Sequence, residues 1–138
     1  MKKTFVFDAC ALIAFLNDEV GSDIVEKLLE KAISGKTDLI MNKINLLEIY
    51  YGVYRDDGVE SAESVLQTIK KLPIQIIHSM SDEVFIEAGM LKAKHKISLT
   101  DSIAVAEANI RKSPLVTADH HELDRLEELK AFKAYWIR

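Results

Sequence analysis

The 138 residues contain one cysteine and two prolines. A lone Cys10 can close no internal disulfide, so the fold has to be held by its apolar core. With hydrophobic residues at 49% of the chain, that core suffices for a single domain over residues 1–138. No apolar run approaches the roughly 20 residues of a bilayer-spanning helix, which removes membrane roles. Lys2-Lys3 is followed within a few residues by Asp8 rather than by a long apolar stretch, so no secretory leader is expected and a cytoplasmic location is. Cationic excess is missing too: 18 Lys and Arg face 22 Asp and Glu, for a formal charge of −4. That argues against gripping nucleic acid by general basicity, but not against acting on it. A carboxylate cluster lowers the total by itself and, once it carries a metal ion, attracts phosphate.

The apolar residues fall into short runs separated by helical patterns. Lys3 to Asp8, rich in Phe and Val, predicts a buried strand, and Ala9 to Leu16 a helix. Asp23 to Ala32, opened by Gly21-Ser22 and stopped by Gly35, repeats Ile24, Val25, Leu28 and Leu29 at helical spacing. Leu39-Ile40-Met41 predicts a second strand, followed by a helix from Asn42 to Tyr54 that Asp56-Asp57-Gly58 breaks, and another from Val59 to Lys71. Ile74 to Ile77 predicts a third strand. Ser79-Met80-Ser81-Asp82 has the form of a capping box opening a helix to about Lys94, and Thr100 is placed to cap the next, Asp101 to Arg111. Leu115 to Thr117, Glu122 to Leu129 and Ala134 to Ile137 then predict strand, helix and strand. Strands alternating with helices indicate an α/β chain whose mostly parallel sheet of four to five strands is covered on both faces. Ligands of such sheets lie beyond the carboxyl ends of the strands.

Four acids stand at or just past the ends of apolar runs: Asp8, Glu48, Asp101 and Asp119. Each has an ordinary explanation. Asp8 suits a helix cap, Asp101 complements a helix dipole, and Asp119 suits a turn. Glu48 lies between Leu47 and Ile49, where an unpaired charge is costly to bury. Brought together, the acids make an oxygen-only pocket for a hard divalent cation, Mg²⁺ with Mn²⁺ as a substitute, and that is equipment for phosphodiester hydrolysis. Two rival phosphate chemistries lack their patterns. A haloacid-dehalogenase-type phosphatase needs a second aspartate where this chain has Cys10, and a response-regulator receiver needs adjacent acids near the first strand. Glu122 and Asp124 fit a solvated helix face better than added ligands. His120-His121 has no second ligand group at zinc spacing, and Cys10 has no evident base.

Four stretches, in order along the chain, carry a resemblance: Asp8-Ala9-Cys10-Ala11-Leu12-Ile13, Asn45-Leu46-Leu47-Glu48, Leu99-Thr100-Asp101-Ser102-Ile103-Ala104 and Thr117-Ala118-Asp119. This set resembles the PIN-domain family, most closely its VapC-like branch of toxins from type II toxin–antitoxin pairs. The resemblance implies a three-layer α/β/α PIN-like domain acting as a Mg²⁺- or Mn²⁺-dependent endoribonuclease. Asp8, Glu48, Asp101 and Asp119 would be its catalytic and metal-binding acids, with Asn45 and Thr117 supporting them by hydrogen bonds. It also implies an RNA substrate, a cognate antitoxin and a homodimer. Two positions depart from the pattern: Cys10 stands in place of a small polar residue, and Asn45 in place of threonine or serine. Asn45 can still donate to Glu48 or to a bound water. Tyr50, Tyr51 and Tyr54, bunched near Gly52, exceed what a buried face needs and suggest an exposed groove, which in the resembled family receives the antitoxin's helical tail. Lys43, Lys92, Lys94, Lys96, Arg111 and Lys112 are candidates for contacts to single-stranded RNA. The same residues also suit a non-cutting PIN-like module that binds RNA or protein, or a PIN nuclease in RNA processing.

Overall fold

The computed structural model describes residues 2–138. Its elements are β1 (Lys3–Phe7), α1 (Ala9–Leu16), α2 (Ser22–Ile33), β2 (Thr37–Asn42), α3 (Lys43–Asp57), α4 (Val59–Lys70), β3 (Gln75–Ile77), α5 (Asp82–Lys94), α6 (Leu99–Ile110), β4 (Leu115–Thr117), α7 (His120–Glu128) and β5 (Ala134–Trp136). The strands form one sheet in the order β3-β2-β1-β4-β5, and every pair is parallel. Helices cover both faces, so the architecture is the three-layer α/β/α arrangement expected, with the sheet wholly rather than mostly parallel.

Alternation along the central strands divides the core. Phe5 and Phe7 of β1, Leu39 and Met41 of β2 and Val116 of β4 face one way, onto Leu12, Leu28, Ile49 and Ile69 from α1 to α4. Val6, Ile40 and Leu115 face the other way, onto Leu91, Ile103, Leu123 and Leu126 from α5 to α7. Both sides of the sheet are dry, which is why these strands are continuously apolar rather than alternating. No helix among the described residues is long and apolar enough to cross a membrane.

Two helix starts differ from expectation. The hydroxyl that caps α5 is Ser81, accepting from the Val84 N–H at 3.1 Å, and not Ser79. The cap of α6 is Ser98, which accepts from the Asp101 N–H at 3.1 Å, and Thr100 lies inside the first turn. Both starts offer two hydroxyls within three residues, and tertiary packing chooses between them. The shift at α6 matters, because it sets Asp101 at the third helical position with its side chain in the first turn. Gly58, at φ 91°, ends α3 in a backbone conformation that suits glycine, after the helix has run on through Asp57.

The strand order places a topological switch at β1. The chain moves outward through β2 and β3 on one side, and β4 and β5 are added on the other. Beyond the carboxyl ends of β1 and β4 the connections part in opposite directions and leave a crevice.

Candidate functional site

Asp8 emerges directly from β1 into that crevice and is 1% exposed. Its Oδ1 accepts from the Ala11 N–H at 2.8 Å, which caps α1, and its Oδ2 accepts a short hydrogen bond from the Thr117 hydroxyl. Thr117, the fully buried last residue of β4, accepts in turn from the Asp119 N–H at 3.0 Å. Asp119, partly exposed, caps α7 by accepting from the Glu122 N–H at 3.2 Å. The capping roles foreseen for these acids are therefore real and do not remove them from the crevice. A cap position is where a parallel strand hands over to its helix, so it lies at the ligand-binding edge.

Asp101 and Glu48 enter from helices. Asp101 is 7% exposed on α6, while Glu48 is half-buried on α3 with the Thr100 hydroxyl near enough to favour its charged form. Asn45, one turn before Glu48, donates through Nδ2 to the Thr100 carbonyl at 2.9 Å, where α6 packs on α3, and among the described residues no bond to Glu48 accompanies it. The bond ties the helix of Glu48 to the residue before Asp101. Asn45 Oδ1 remains buried with no partner among the described residues.

Electrostatics couples the four acids. Burial pushes Asp8 up to about 7, the Thr117 and Ala11 hydrogen bonds pull it down, and Asp119 and Glu48 push it up again. Asp101 is also raised to about 7, first by burial and then by Asp8, Asp119 and Glu48, against the Ser98 hydrogen bond. Glu48 is raised by burial, lowered by Thr100, and raised by Asp119 and Glu122. The charges that act most strongly on these three groups are other acids. The carboxylates are gathered at a low-dielectric crevice, and among the described residues no lysine or arginine forms an ion pair with them.

The carboxylates do not close into a finished coordination shell. Among the described residues no three His, Cys, Asp or Glu side chains stand so as to hold a metal ion. Both Asp8 oxygens are engaged by protein donors, and unneutralised acids repel one another, so the crevice groups the acids without drawing their oxygens onto one point. The donor chemistry nonetheless fits a hard divalent cation, being all oxygen, and the orphaned Asn45 Oδ1 is a buried acceptor open to a water proton.

The remaining candidates separate cleanly. Cys10 is pushed up to about 11, by burial first and then by Asp8 and Asp119, which leaves an inert thiol. Asp124 is exposed and pairs with His120 Nδ1 at 2.7 Å, and His120 stacks on Trp136 with ring centroids 3.8 Å apart. Glu122 lies between the two settings, on α7 but within the field of Glu48. Tyr51 and Tyr54 are about half-exposed, while Tyr50 donates to Glu63 at 2.9 Å. Beside Glu48 opens a cavity of about 340 Å³ whose walls include Ile13, Leu16, Tyr51, Val53 and Val65. Glu107 was not foreseen. Buried on α6, it accepts from Asn42 Nδ2 at 3.0 Å and from Arg111 Nε at 2.8 Å, locking α6 to the start of α3. The signal was present, since Glu107 sits in an Ala-rich stretch apolar on all sides with Arg111 four residues on.

A family model for the PIN domain matches residues 5–129. The chain belongs to the PIN domain family. No curated protein matches the chain in sequence. Solved structures match it in fold, and three illustrate the range. VapBC-1 from nontypeable Haemophilus influenzae is 14% identical, with 97% of this chain and 98% of that one covered and a TM-score of 0.71. VapBC2 from Rickettsia felis, bound to a DNA fragment from its promoter, is 17% identical over 96% and 98% of the chains with a TM-score of 0.73. Mycobacterium tuberculosis VapC20, a Sarcin-Ricin loop cleaving toxin, is 13% identical over 95% and 98% with a TM-score of 0.64. At such identity the likeness is one of fold, and it places this PIN domain's β1–β4 crevice in a shared framework.

Proposed function

We propose that this PIN domain is a Mg²⁺- or Mn²⁺-dependent endoribonuclease and the toxin of a VapBC-type pair, with Asp8, Glu48, Asp101 and Asp119 as its metal-binding and catalytic acids. The observation that carries this reading is the set of coupled carboxylates at one crevice, Asp8 and Asp101 buried in it, with no lysine or arginine paired to them among the described residues. Its support from relatives is that proteins of this fold include VapBC complexes and a toxin that cleaves RNA. A divalent cation supplies, when bound, positive charge against phosphate oxygens and a lower pKa for water. The chain's own part is positioning. Thr117 holds Asp8 from one side and the Asp119 backbone from the other, and Asn45 holds the residue before Asp101. Asp8 and Asp119 cap helices and Asp101 lies in a first turn, so three helix N-termini surround the crevice, and their partial positive charge favours an incoming phosphate.

An antitoxin segment would cover the cavity beside Glu48, where Ile13, Tyr51 and Val53 offer a helix face an apolar seat and Arg55, Asp56 and Asp57 line its charged side. A homodimer and a cytoplasmic setting complete the proposal. The deciding experiment is digestion of a mixed RNA pool by protein freed of any partner, with Mg²⁺ or Mn²⁺ and with EDTA, alongside Asp101→Asn. Metal-dependent cutting that Asp101→Asn abolishes is the expected outcome. Cutting by Asp101→Asn at the wild-type rate overturns the assignment of the acids. Absence of cutting by the folded, metal-loaded protein moves the reading to a binding module.

A further inference from the structure

A second surface lies against the acid crevice and has the opposite character. The stretch joining α5 to α6 and the flank of α7 enclose a groove of about 350 Å³ whose walls carry Lys94, His95, Lys96, His121 and Arg125, with Glu122 the one acid. In a chain of net charge −4 this is a local reversal of sign. Its position follows from the same connections that place the acids. Lys94 to Lys96 stand just ahead of Ser98, the cap that fixes Asp101, and His121, Glu122 and Arg125 follow Asp119 along α7. Glu122 belongs to both regions, since it lines the groove and acts on Glu48.

Of the other basic candidates, Arg111 is bound to Glu107 at 2.8 Å and Lys92 Nζ donates to the Ile97 carbonyl at 2.7 Å, while the exposed Lys43 and Lys112 do not line this groove. Lys94, Lys96 and His121 enter no ion pair among the described residues, and Arg125 meets only the exposed Glu128 at 3.4 Å. Three free or lightly held cations match phosphates spaced along a strand. The flat rings of His95 and His121 and the half-exposed Leu129 offer bases a surface to lie on.

We propose that this α5–α7 groove is the track for single-stranded RNA, holding the backbone phosphates on one side of the scissile bond through Lys94, Lys96 and Arg125 so that the strand enters the acid crevice past Asp119. The inference rests on the ribonuclease reading of that crevice and names where its substrate runs. Lys94, Lys96 and Arg125 are positioning residues. They fix the register of the strand and leave the chemistry to the acids.

The test is binding of a fluorescently labelled, mixed-sequence single-stranded RNA in Mg²⁺, in an Asp101→Asn background, across a salt series. A Lys94→Gln, Lys96→Gln, Arg125→Gln variant is compared with a control that removes three exposed lysines of the opposite layer, Lys27→Gln, Lys31→Gln, Lys36→Gln. The groove variant loses about tenfold or more in affinity, and its slope of log affinity against log salt falls by about 2, as three lost phosphate contacts require. The control stays within about twofold, and Lys94→Arg, Lys96→Arg, Arg125→Lys restores binding. With Asp101 intact, the groove variant raises KM and leaves kcat near wild type. A groove variant that binds RNA like wild type, or a control that loses as much, overturns the proposal even if Asp101→Asn has abolished cutting. Groove-dependent binding by a protein that never cuts RNA upholds the track and defeats the nuclease reading.

Discussion

Asp101 and Glu107 lie on one helix, both buried, six residues apart, and their surroundings differ in kind. Glu107 is completed by the fold: Asn42 and Arg111 reach it from β2 and from the next turn. Asp101 is left with Asp8, Asp119 and Glu48 as its charged neighbours, and burial and repulsion together lift it to about 7. A buried acid that the protein needs for its own cohesion is given a cation. A buried acid left among other acids is, on the function proposed above, held for something outside the chain. The difference predicts opposite responses to the loss of the charge.

The largest effect expected from that contrast is on activity. Asp101→Asn lowers RNA cutting by about 10³-fold or more, whereas Glu107→Ala leaves the rate of the folded fraction within about threefold, as single-turnover assays on matched folded protein would show. Stability moves the other way. Glu107→Ala costs about 2–3 kcal/mol in urea unfolding, because it leaves the Asn42 amide buried without an acceptor and Arg111 without its partner. Asp101→Asn in EDTA at pH 8 gains about 1–3 kcal/mol, since the ionised form is the one the crevice disfavours.

A pH series sharpens the same comparison. The native pKa values of Asp8 and Asp101, about 7, stand above their ordinary 3.8, so between those values the folded protein keeps protons that the unfolded chain has released. Metal-free stability therefore falls as pH rises from about 4 to about 7 and levels off beyond. Chemical denaturation at steps across that window would show it, and Asp101→Asn flattens the curve. Thr117→Val ranks next. It removes the donor to Asp8 and the acceptor for the Asp119 N–H, so cutting falls by about 10- to 100-fold. Cys10→Ser is the smallest, within about twofold in rate, because the Cys10 thiol stays protonated and a serine hydroxyl can replace it beside the Ala118 backbone.

Much of this arrangement was legible before the fold was seen. Continuous apolar runs ending in acids placed β1 and β4 and with them Asp8 and Asp119, because a parallel strand buried on both faces has no other way to read. Ala9 to Leu16 was delimited to the residue. The caps at Ser81 and Ser98 were missed, since neighbouring hydroxyls are equivalent until packing selects one. Glu107 was missed for a related reason: an acid and an arginine four apart look like a solvated helix pair, and only the burial of Asp101 through Ala108 turns them inward. The basic groove needs α7 laid beside residues 94–96, a long-range contact that no local pattern announces.

The placement of β4 has a consequence in time. β4 is an inner strand, inserted between β1 and β5, and it carries the hydroxyl that holds Asp8 and leads to the last of the four acids. A chain emerging from a ribosome presents Asp8, Glu48 and Asp101 before residues 115–119, and until those arrive β1 has one open edge and the crevice one wall. The acid crevice therefore comes into being only when β4 slots home beside β1 and brings Thr117 and Asp119 to Asp8.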